Sequence, residues 1–358
     1  MTIPRARRAA LAALALCVAL PLAACGGSSG ESGDGGETSV RLLTHDSFAL
    51  SDDVLASFTE ETGIKVEVIQ GGDAGTVVNQ ALLTNGNPQA DVLYGIDSTF
   101  LTRALDEDLF VPYEASGLDQ VDEDLLLDPE HRVTPIDYGD VCLNYDKAYF
   151  EDHDLAVPTS LDQLTDPAYR DLLVVENAAT SSPGLAFLLA SVEAFGEDGW
   201  EAWWTDLTAN GVQVVDGWEE AYYSTFSGGL GSEGDRPLVV SYASSPPAEV
   251  LYADPPVDDS PIGVIDASCY RQVEAAGILS GTDHEDEAGQ LIDFLLSDTV
   301  QADVPLSMFV YPAREGTELP EVFVQYAATP TEVFELPAEE IDANREDWID
   351  RWTDIVLR

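Results

Sequence analysis

The sequence has few basic residues for its length. Its 358 residues include 15 Lys and Arg against 67 Asp and Glu, which gives a formal net charge of −52. A surface of this sign repels phosphate backbones and anionic lipids, so the composition excludes nucleic-acid binding. Hydrophobic residues make up 45% of the chain. That is enough to bury large cores, excludes a disordered acidic tail, and with this length indicates about two domains.

Metal-binding and catalytic motifs are also lacking. The residues His45, His131, His153 and His284 are scattered, and none has a spacing to Cys or Glu that is typical of a metal site. No Gly-x-Ser-x-Gly motif occurs, and the one Gly-x-Gly-x-x-Gly, residues 229–234, lies outside a strand-to-helix context. We therefore expect no metal, no cofactor and no enzymatic activity.

The hydrophobic run near the N-terminus is too short to cross a bilayer. Residues 9–22 form a run of 14 residues that follows three Arg and precedes Ala-Ala-Cys25, whereas a spanning helix needs roughly 20. This pattern predicts an export signal over residues 1–24. The Leu-Ala-Ala-Cys string resembles a bacterial lipobox, so we expect Cys25 to carry a lipid that anchors the protein to the outer face of the cell membrane. A soluble secreted protein is the alternative.

The segment after Cys25 is rich in Gly and Ser, and residues 25–37 are predicted to be a flexible tether. Beyond it, Cys142 and Cys269 are the cysteines of the predicted folded part. Outside the cell such a pair favours one disulfide, and two buried free thiols are the alternative. Each lies in an extended stretch suited to join two lobes, residues 137–145 and 267–273, so a bond would link these strands beside a cleft.

From Thr38 onward, strand and helix patterns alternate. Residues 40–44, 64–68 and 90–95 are predicted strands, and a helix starting at Ser51 separates the first two. The alternation predicts an α/β fold with mostly parallel sheets flanked by helices. Ligands of such sheets bind beyond the carboxyl ends of the strands. The candidate side chains there are His45, Asp46, Asp73 and Asp97.

A second candidate site is the start of an apolar helix. Ser181 or Ser182 can cap this helix, and Pro183 suits its first position, so free backbone N–H groups and hydroxyls converge where an anion could bind. An ordinary capped helix is the alternative.

Aromatic residues in predicted loops form a third candidate feature. Ring faces attract cations, so such a set beside Asp and Glu fits a flat cationic ligand, although any single ring could belong to a core. Trp348 and Trp352, one turn apart near the C-terminus, are predicted to lie in the core. The ligand-binding candidates are Tyr138, Trp218, Tyr222, Tyr242 and Phe309.

Eight short motifs occur in order between residues 40 and 352. They are residues 44–48 (THDSF), 90–97 (ADVLYGID), 137–139 (DYG), 144–147 (NYDK), 182–185 (SPGL), 217–222 (GWEEAY), 241–246 (SYASSP) and 311–312 (YP). Together they resemble the thiamine-binding proteins of bacterial ABC importers, which are two-lobed receptors of the periplasmic type.

The resemblance implies a type II periplasmic-binding-protein fold, with two lobes and a ligand cleft at the hinge between them. We expect lobe 1 to comprise residues 38–140 and about 271–315, and lobe 2 to comprise residues 141–270. Residues 316–358 are predicted to form C-terminal helices, and the sequence leaves their lobe open.

The resemblance also implies roles for individual residues. Trp218, Tyr242 and Phe309 fall at the positions of an aromatic box around the two thiamine rings. The end of the binding site that receives the hydroxyethyl or phosphate group of the ligand falls near Asp73, Ser181 and Ser182. The chain departs from the expected pattern at three positions: His45 and Ala248 stand where a Tyr is expected, and Phe309 where a Trp is expected.

The function that follows is that of a monomeric extracytoplasmic receptor, which captures thiamine or a thiamine phosphate and delivers it to a membrane permease. One alternative is a receptor for another organic cation, such as a polyamine or a pyrimidine precursor. The other is a secreted thiamine-degrading transferase, with Cys142 or Cys269 as an unpaired nucleophile.

Overall fold

The computed structural model describes residues 38–358. The predicted signal and tether, residues 1–37 with Cys25, lie outside the described residues. The strands are β1 (Thr38–Thr44), β2 (Ile64–Gln70), β3 (Val92–Asp97), β4 (Phe110–Val111), β5 (Thr134–Asp146), β6 (Leu173–Glu176), β7 (Gln213–Val215), β8 (Leu238–Tyr242), β9 (Ile262–Leu279) and β10 (Tyr311–Pro312). The helices are α1 (Asp52–Thr62), α2 (Ala74–Leu83), α3 (Leu101–Asp106), α4 (Lys147–Asp152), α5 (Ser182–Phe195), α6 (Trp200–Ala209), α7 (Pro246–Leu251), α8 (Glu285–Leu295), α9 (Asp298–Ser307), α10 (Glu321–Tyr326) and α11 (Ala338–Val356).

These strands form one sheet in the order β2-β1-β3-β9-β5-β8-β6-β7, with β4 paired to β9 and β10 paired to β5. Strands β2, β1 and β3 are parallel and form the first flank. Strands β8, β6 and β7 are parallel and form the second flank. The two long strands β9 and β5 run antiparallel between the flanks. The predicted α/β class, with a mostly parallel sheet in each half, is confirmed.

Local sequence signals set the ends of the first helix. Helix α1 begins after Ser51 and ends at Gly63, whose φ of 74° is the left-handed conformation that glycine adopts without strain. Ser51 is the N-cap residue of α1, as predicted, but its side chain makes no capping hydrogen bond to the helix. Its hydroxyl donates instead to Oδ1 of Asp303 at 2.6 Å, because α9 packs against this end of α1.

The two stretches predicted to join the halves lie in the central strands β5 and β9. These strands pair directly along most of the length of β5. The sulfurs of Cys142 and Cys269 are bonded, with an S–S distance of 2.06 Å. The central strands are therefore linked covalently as well as by backbone hydrogen bonds.

The C-terminal helix α11 packs across the second flank. Trp348 and Trp352 are buried, which confirms their predicted place in the core. The ring of Trp352 meets that of Trp204 edge-on, with centroids 5.6 Å apart. The same helix reaches the first flank, where the guanidinium of Arg345 lies 5.8 Å from the centroid of Phe100. None of the helices among the described residues is long and apolar enough to cross a membrane.

Candidate functional site

A cavity of about 320 Å³ lies between the two flanks. Its walls come from the ends of β1, β2 and β8, part of β9, the start of α5, the helical segment of residues 218–225, α7 and the turn between α9 and β10. The three candidates that do not line it are Asp97, Tyr138 and Ser181. The candidates that do line it are His45, Asp46, Asp73, Ser182, Trp218, Tyr222, Tyr242 and Phe309.

The Trp218 ring is fixed in one wall of the cavity. It stacks on Tyr222 with centroids 5.0 Å apart and lies 6.4 Å from Tyr242 at a steep angle. Its indole N–H donates to Oγ of Ser241 at 2.9 Å, which fixes the rotation of the ring. Gly139 gives the neighbouring Tyr242 its place, since a Cβ at 139 would come within 2.9 Å of that ring. The wall therefore presents preorganised ring faces to the cavity.

Phe309 enters the cavity from the turn between α9 and β10. Its φ of 56° is unusual for a residue with a bulky side chain. Backbone strain of this kind costs on the order of 1–3 kcal/mol and clusters at ligand-binding sites. The turn therefore holds the phenyl ring where unstrained backbone would not place it.

The Asp73 carboxylate connects the two flanks. It follows β2 and caps α2, accepting from the backbone N–H of Ala74 at 2.7 Å. It also accepts from the N–H of Ser182 at 3.2 Å and from that of Trp218 at 2.9 Å. Burial raises the pKa of Asp73. The N–H donors at the start of α5 and at the start of the helical segment of residues 218–225 thus already face a carboxylate.

Asp97 and Ser181 lie behind the cavity wall. Both are fully buried. Asp97 accepts from the hydroxyl of Ser182 and from the N–H of Thr99, and burial raises its pKa to about 7. Ser181 is the N-cap of α5 and accepts from the N–H of Gly184 at 3.5 Å. Both side chains support the residues that face the cavity.

Tyr138 lies away from the cavity, at the pairing of β5 with β10. Its ring stacks on Tyr311 with centroids 5.3 Å apart, and the guanidinium of Arg271 lies 5.2 Å from its centroid. These contacts occupy the ring.

No group of His, Cys, Asp and Glu that could hold a metal ion occurs within residues 38–358.

Sequence reasoning missed Glu274, a buried carboxylate of β9 in the cavity wall. Its Oε1 lies 3.3 Å from Nε2 of His45, and its Oε2 accepts from the hydroxyl of Tyr94 at 2.8 Å. Burial opposes ionisation of both partners, yet their mutual attraction lowers the pKa of Glu274 and raises that of His45. The sequence offers one signal for Glu274, which is a charged residue between the apolar Val273 and Ala275 of a central strand. Other lining residues that were missed include Tyr252 and Gln272.

Comparisons with known proteins agree with this geometry. The sequence model of the family described as "Bacterial extracellular solute-binding protein" matches residues 87–250. The chain is 28% identical over 327 residues to the thiamine-binding periplasmic protein of Escherichia coli strain K12, covering 89% of this chain and 94% of that protein. It is 26% identical to the protein of the same name from Brucella suis, covering 87% and 90%.

Two solved structures share the fold of this chain. A periplasmic thiamin-binding protein superposes with a TM-score of 0.79 at 26% identity, covering 91% of this chain and 98% of that one. Iron-bound HitA from Pseudomonas aeruginosa shares the fold, with a TM-score of 0.70 at 19% identity over 89% of this chain and 99% of that one.

The fold is the type II periplasmic-binding-protein fold with a cavity between its two flanks, and the chain is similar to extracellular solute-binding proteins of bacteria. Within that class, the resemblance to the thiamine-binding proteins of bacterial importers, predicted from the sequence motifs, is confirmed.

Proposed function

We propose that the protein captures thiamine, free or phosphorylated, in this cavity and delivers it to the membrane permease of an ABC importer. The observation that carries the proposal is the fixed wall of Trp218, Tyr222 and Tyr242 facing a cavity of about 320 Å³. Small-molecule sites fall in the range of about 300–1,000 Å³. The names of the relatives support thiamine as the occupant.

The charges around the cavity fit a cationic ring. Asp46, Asp73, Glu219 and Glu274 all line it. A positively charged thiazolium over an aromatic face gains roughly 0.5–2 kcal/mol per contact, more where water is excluded. Each such contact supplies part of the roughly 8 kcal/mol that corresponds to micromolar affinity.

A phosphate on the ligand would have to compete with Asp73 for the N–H groups of Ser182 and Trp218. The free vitamin has no such competition. We therefore expect thiamine to bind at least as tightly as its mono- and diphosphate.

A polyamine receptor is the second candidate, because the cavity is acidic. A flexible polyamine needs carboxylates spaced along its length, whereas the stacked rings here suit a flat ligand. A thiamine-degrading transferase has less support, since both candidate nucleophiles, Cys142 and Cys269, are engaged in a disulfide. We propose a binding role without catalysis.

The remaining proposals concern the assembly. The protein acts as a monomer held at the outer face of the membrane by a lipid on Cys25. Its two lobes comprise residues 38–140 with about 271–315, and residues 141–270, and they close on the ligand at the central strands.

Calorimetric titration with thiamine, its two phosphates and spermidine tests the proposal. We expect one-to-one binding of thiamine at micromolar concentration or tighter, and weaker binding of spermidine. Tighter binding of spermidine would favour the polyamine receptor, and no heat with any thiamine form would refute the proposed ligand.

A further inference from the structure

We propose that Tyr252 is an affinity-determining residue, whose ring closes the cavity over the bound ligand by meeting Phe309 across its mouth. The inference rests on the proposed function and adds a residue to the binding site.

The position of Tyr252 follows from helix geometry. Its backbone N–H donates to the carbonyl of Ala248 at 3.0 Å, so the two residues lie one turn apart on the same face at the end of α7. Both line the cavity. Ala248 contributes a single methyl group, so the larger contact surface on this face belongs to Tyr252.

A second contact anchors α7. The carboxylate of Glu249 is buried and accepts from the hydroxyl of Tyr222 at 2.8 Å. Tyr222 in turn stacks on Trp218. The helix that carries Tyr252 is therefore fixed to the aromatic wall, and movement of α7 would disturb that wall.

The exposure of Tyr252 shows that it lies at the rim. Its side chain is 57% exposed even though it lines the cavity. Its ring meets Phe309 edge-on, with centroids 5.8 Å apart and an interplanar angle of 76°. Tyr252 follows β8 of the second flank, whereas Phe309 follows α9, which packs on the first flank. This contact therefore spans the cleft.

Closure by this pair has a physical consequence for the ligand. A ring over the mouth adds an aromatic face and excludes water, and cation–π attraction strengthens when the cation is desolvated. The φ of 56° at Phe309 sets the direction of one ring, and the half-exposed ring of Tyr252 meets it from the other side of the mouth.

The test compares Tyr252→Ala, Tyr252→Phe and the control Leu251→Ala. Leu251 is on the same helix and 44% exposed, but it does not line the cavity. Thiamine affinity is measured by calorimetry and dissociation by stopped-flow fluorescence, with thermal unfolding as a check on folding. We expect Tyr252→Ala to weaken affinity about tenfold, mainly through faster dissociation. Tyr252→Phe and Leu251→Ala are expected to match the wild type.

Equal affinities for Tyr252→Ala and Leu251→Ala would overturn the inference while leaving thiamine binding established. A Tyr252→Phe variant as weak as Tyr252→Ala would overturn the role of the ring in favour of the hydroxyl. A wild-type protein that binds no thiamine would refute the proposed function and this inference with it.

Discussion

The Nε2 atom of His45 lies 3.3 Å from Oε1 of Glu274, which ties the end of β1 to the central strand β9. Among the described residues that line the cavity, His45 is the one basic side chain. Each partner shifts the pKa of the other towards its charged form, against the opposing effect of burial. The pair holds Glu274 ionised at the site where a cationic ligand would sit.

Replacing His45 should destabilise the protein. His45→Ala leaves the buried Glu274 carboxylate without its cation, and we expect a loss of about 3 kcal/mol in the free energy of unfolding. Urea denaturation near pH 6 measures it. His153→Ala, an exposed histidine outside the cavity, is the control.

This loss should depend on pH. The His45 contribution is complete below its ordinary pKa of 6.5 and disappears as the pH rises through the raised folded value. The Glu274 contribution is complete above its ordinary pKa of 4.5 and disappears as the pH falls through the lowered value. The difference in the free energy of unfolding between wild type and His45→Ala should therefore be largest between the two ordinary pKa values, 4.5 and 6.5. A difference that stays constant up to pH 9 would contradict the ion pair.

Trp218 is predicted to supply much of the ligand contact. Trp218→Ala should weaken thiamine binding about 10- to 100-fold, because the ring face and its stacking partner are lost together. Trp218→Phe should lose less. The matched control is Tyr138→Ala, which removes a large ring outside the cavity. Equal losses of thiamine affinity in Trp218→Ala and Tyr138→Ala would show that the ligand does not bind against Trp218.

Asp73 is predicted to hold the cleft closed. Asp73→Ala leaves the N–H groups of Ser182 and Trp218 without their acceptor, at a cost of about 1–3 kcal/mol per buried donor. We expect at least tenfold weaker thiamine binding and a larger radius of gyration by small-angle scattering. Asp122→Ala, which removes a similar turn cap elsewhere, should change neither quantity. An unchanged radius with unchanged affinity would show that Asp73 does not control closure.

Asp97 is predicted to make stability fall as pH rises. Its folded pKa of about 7 exceeds its ordinary 3.8 because of burial, so its contribution is complete below about 4 and disappears as the pH rises through about 7. Asn mimics the protonated acid. The free energy of unfolding of Asp97→Asn, relative to that of the wild type, should therefore rise by roughly 2–4 kcal/mol from pH 4 to pH 8. A stability difference that is the same at both pH values would contradict the assignment.

Local patterns predicted the elements well, because capping and periodicity are properties of neighbouring residues. The start of α1 at Ser51 and the buried Trp348 and Trp352 are examples. The hydrogen bond from the Ser51 hydroxyl to Asp303 was not predicted, because Asp303 is 252 positions away in the chain. No local pattern encodes that contact.

The same reason explains which site residues could be predicted. Trp218 and Tyr242 lie in motifs with a recognisable composition, and Asp73 follows a predicted strand, residues 64–68. Glu274 and Tyr252 acquire their roles through pairing of β9 with β3 and through the approach of α7 to the α9–β10 turn. Those contacts depend on the assembled sheet.

A crystal structure of the protein grown with thiamine would show directly whether the cavity is the binding site. We expect one thiamine in the cavity, with one of its rings against Trp218 and with Tyr252 and Phe309 covering the mouth of the cavity. Full-occupancy thiamine bound elsewhere, or an empty cavity at saturating thiamine, would contradict it.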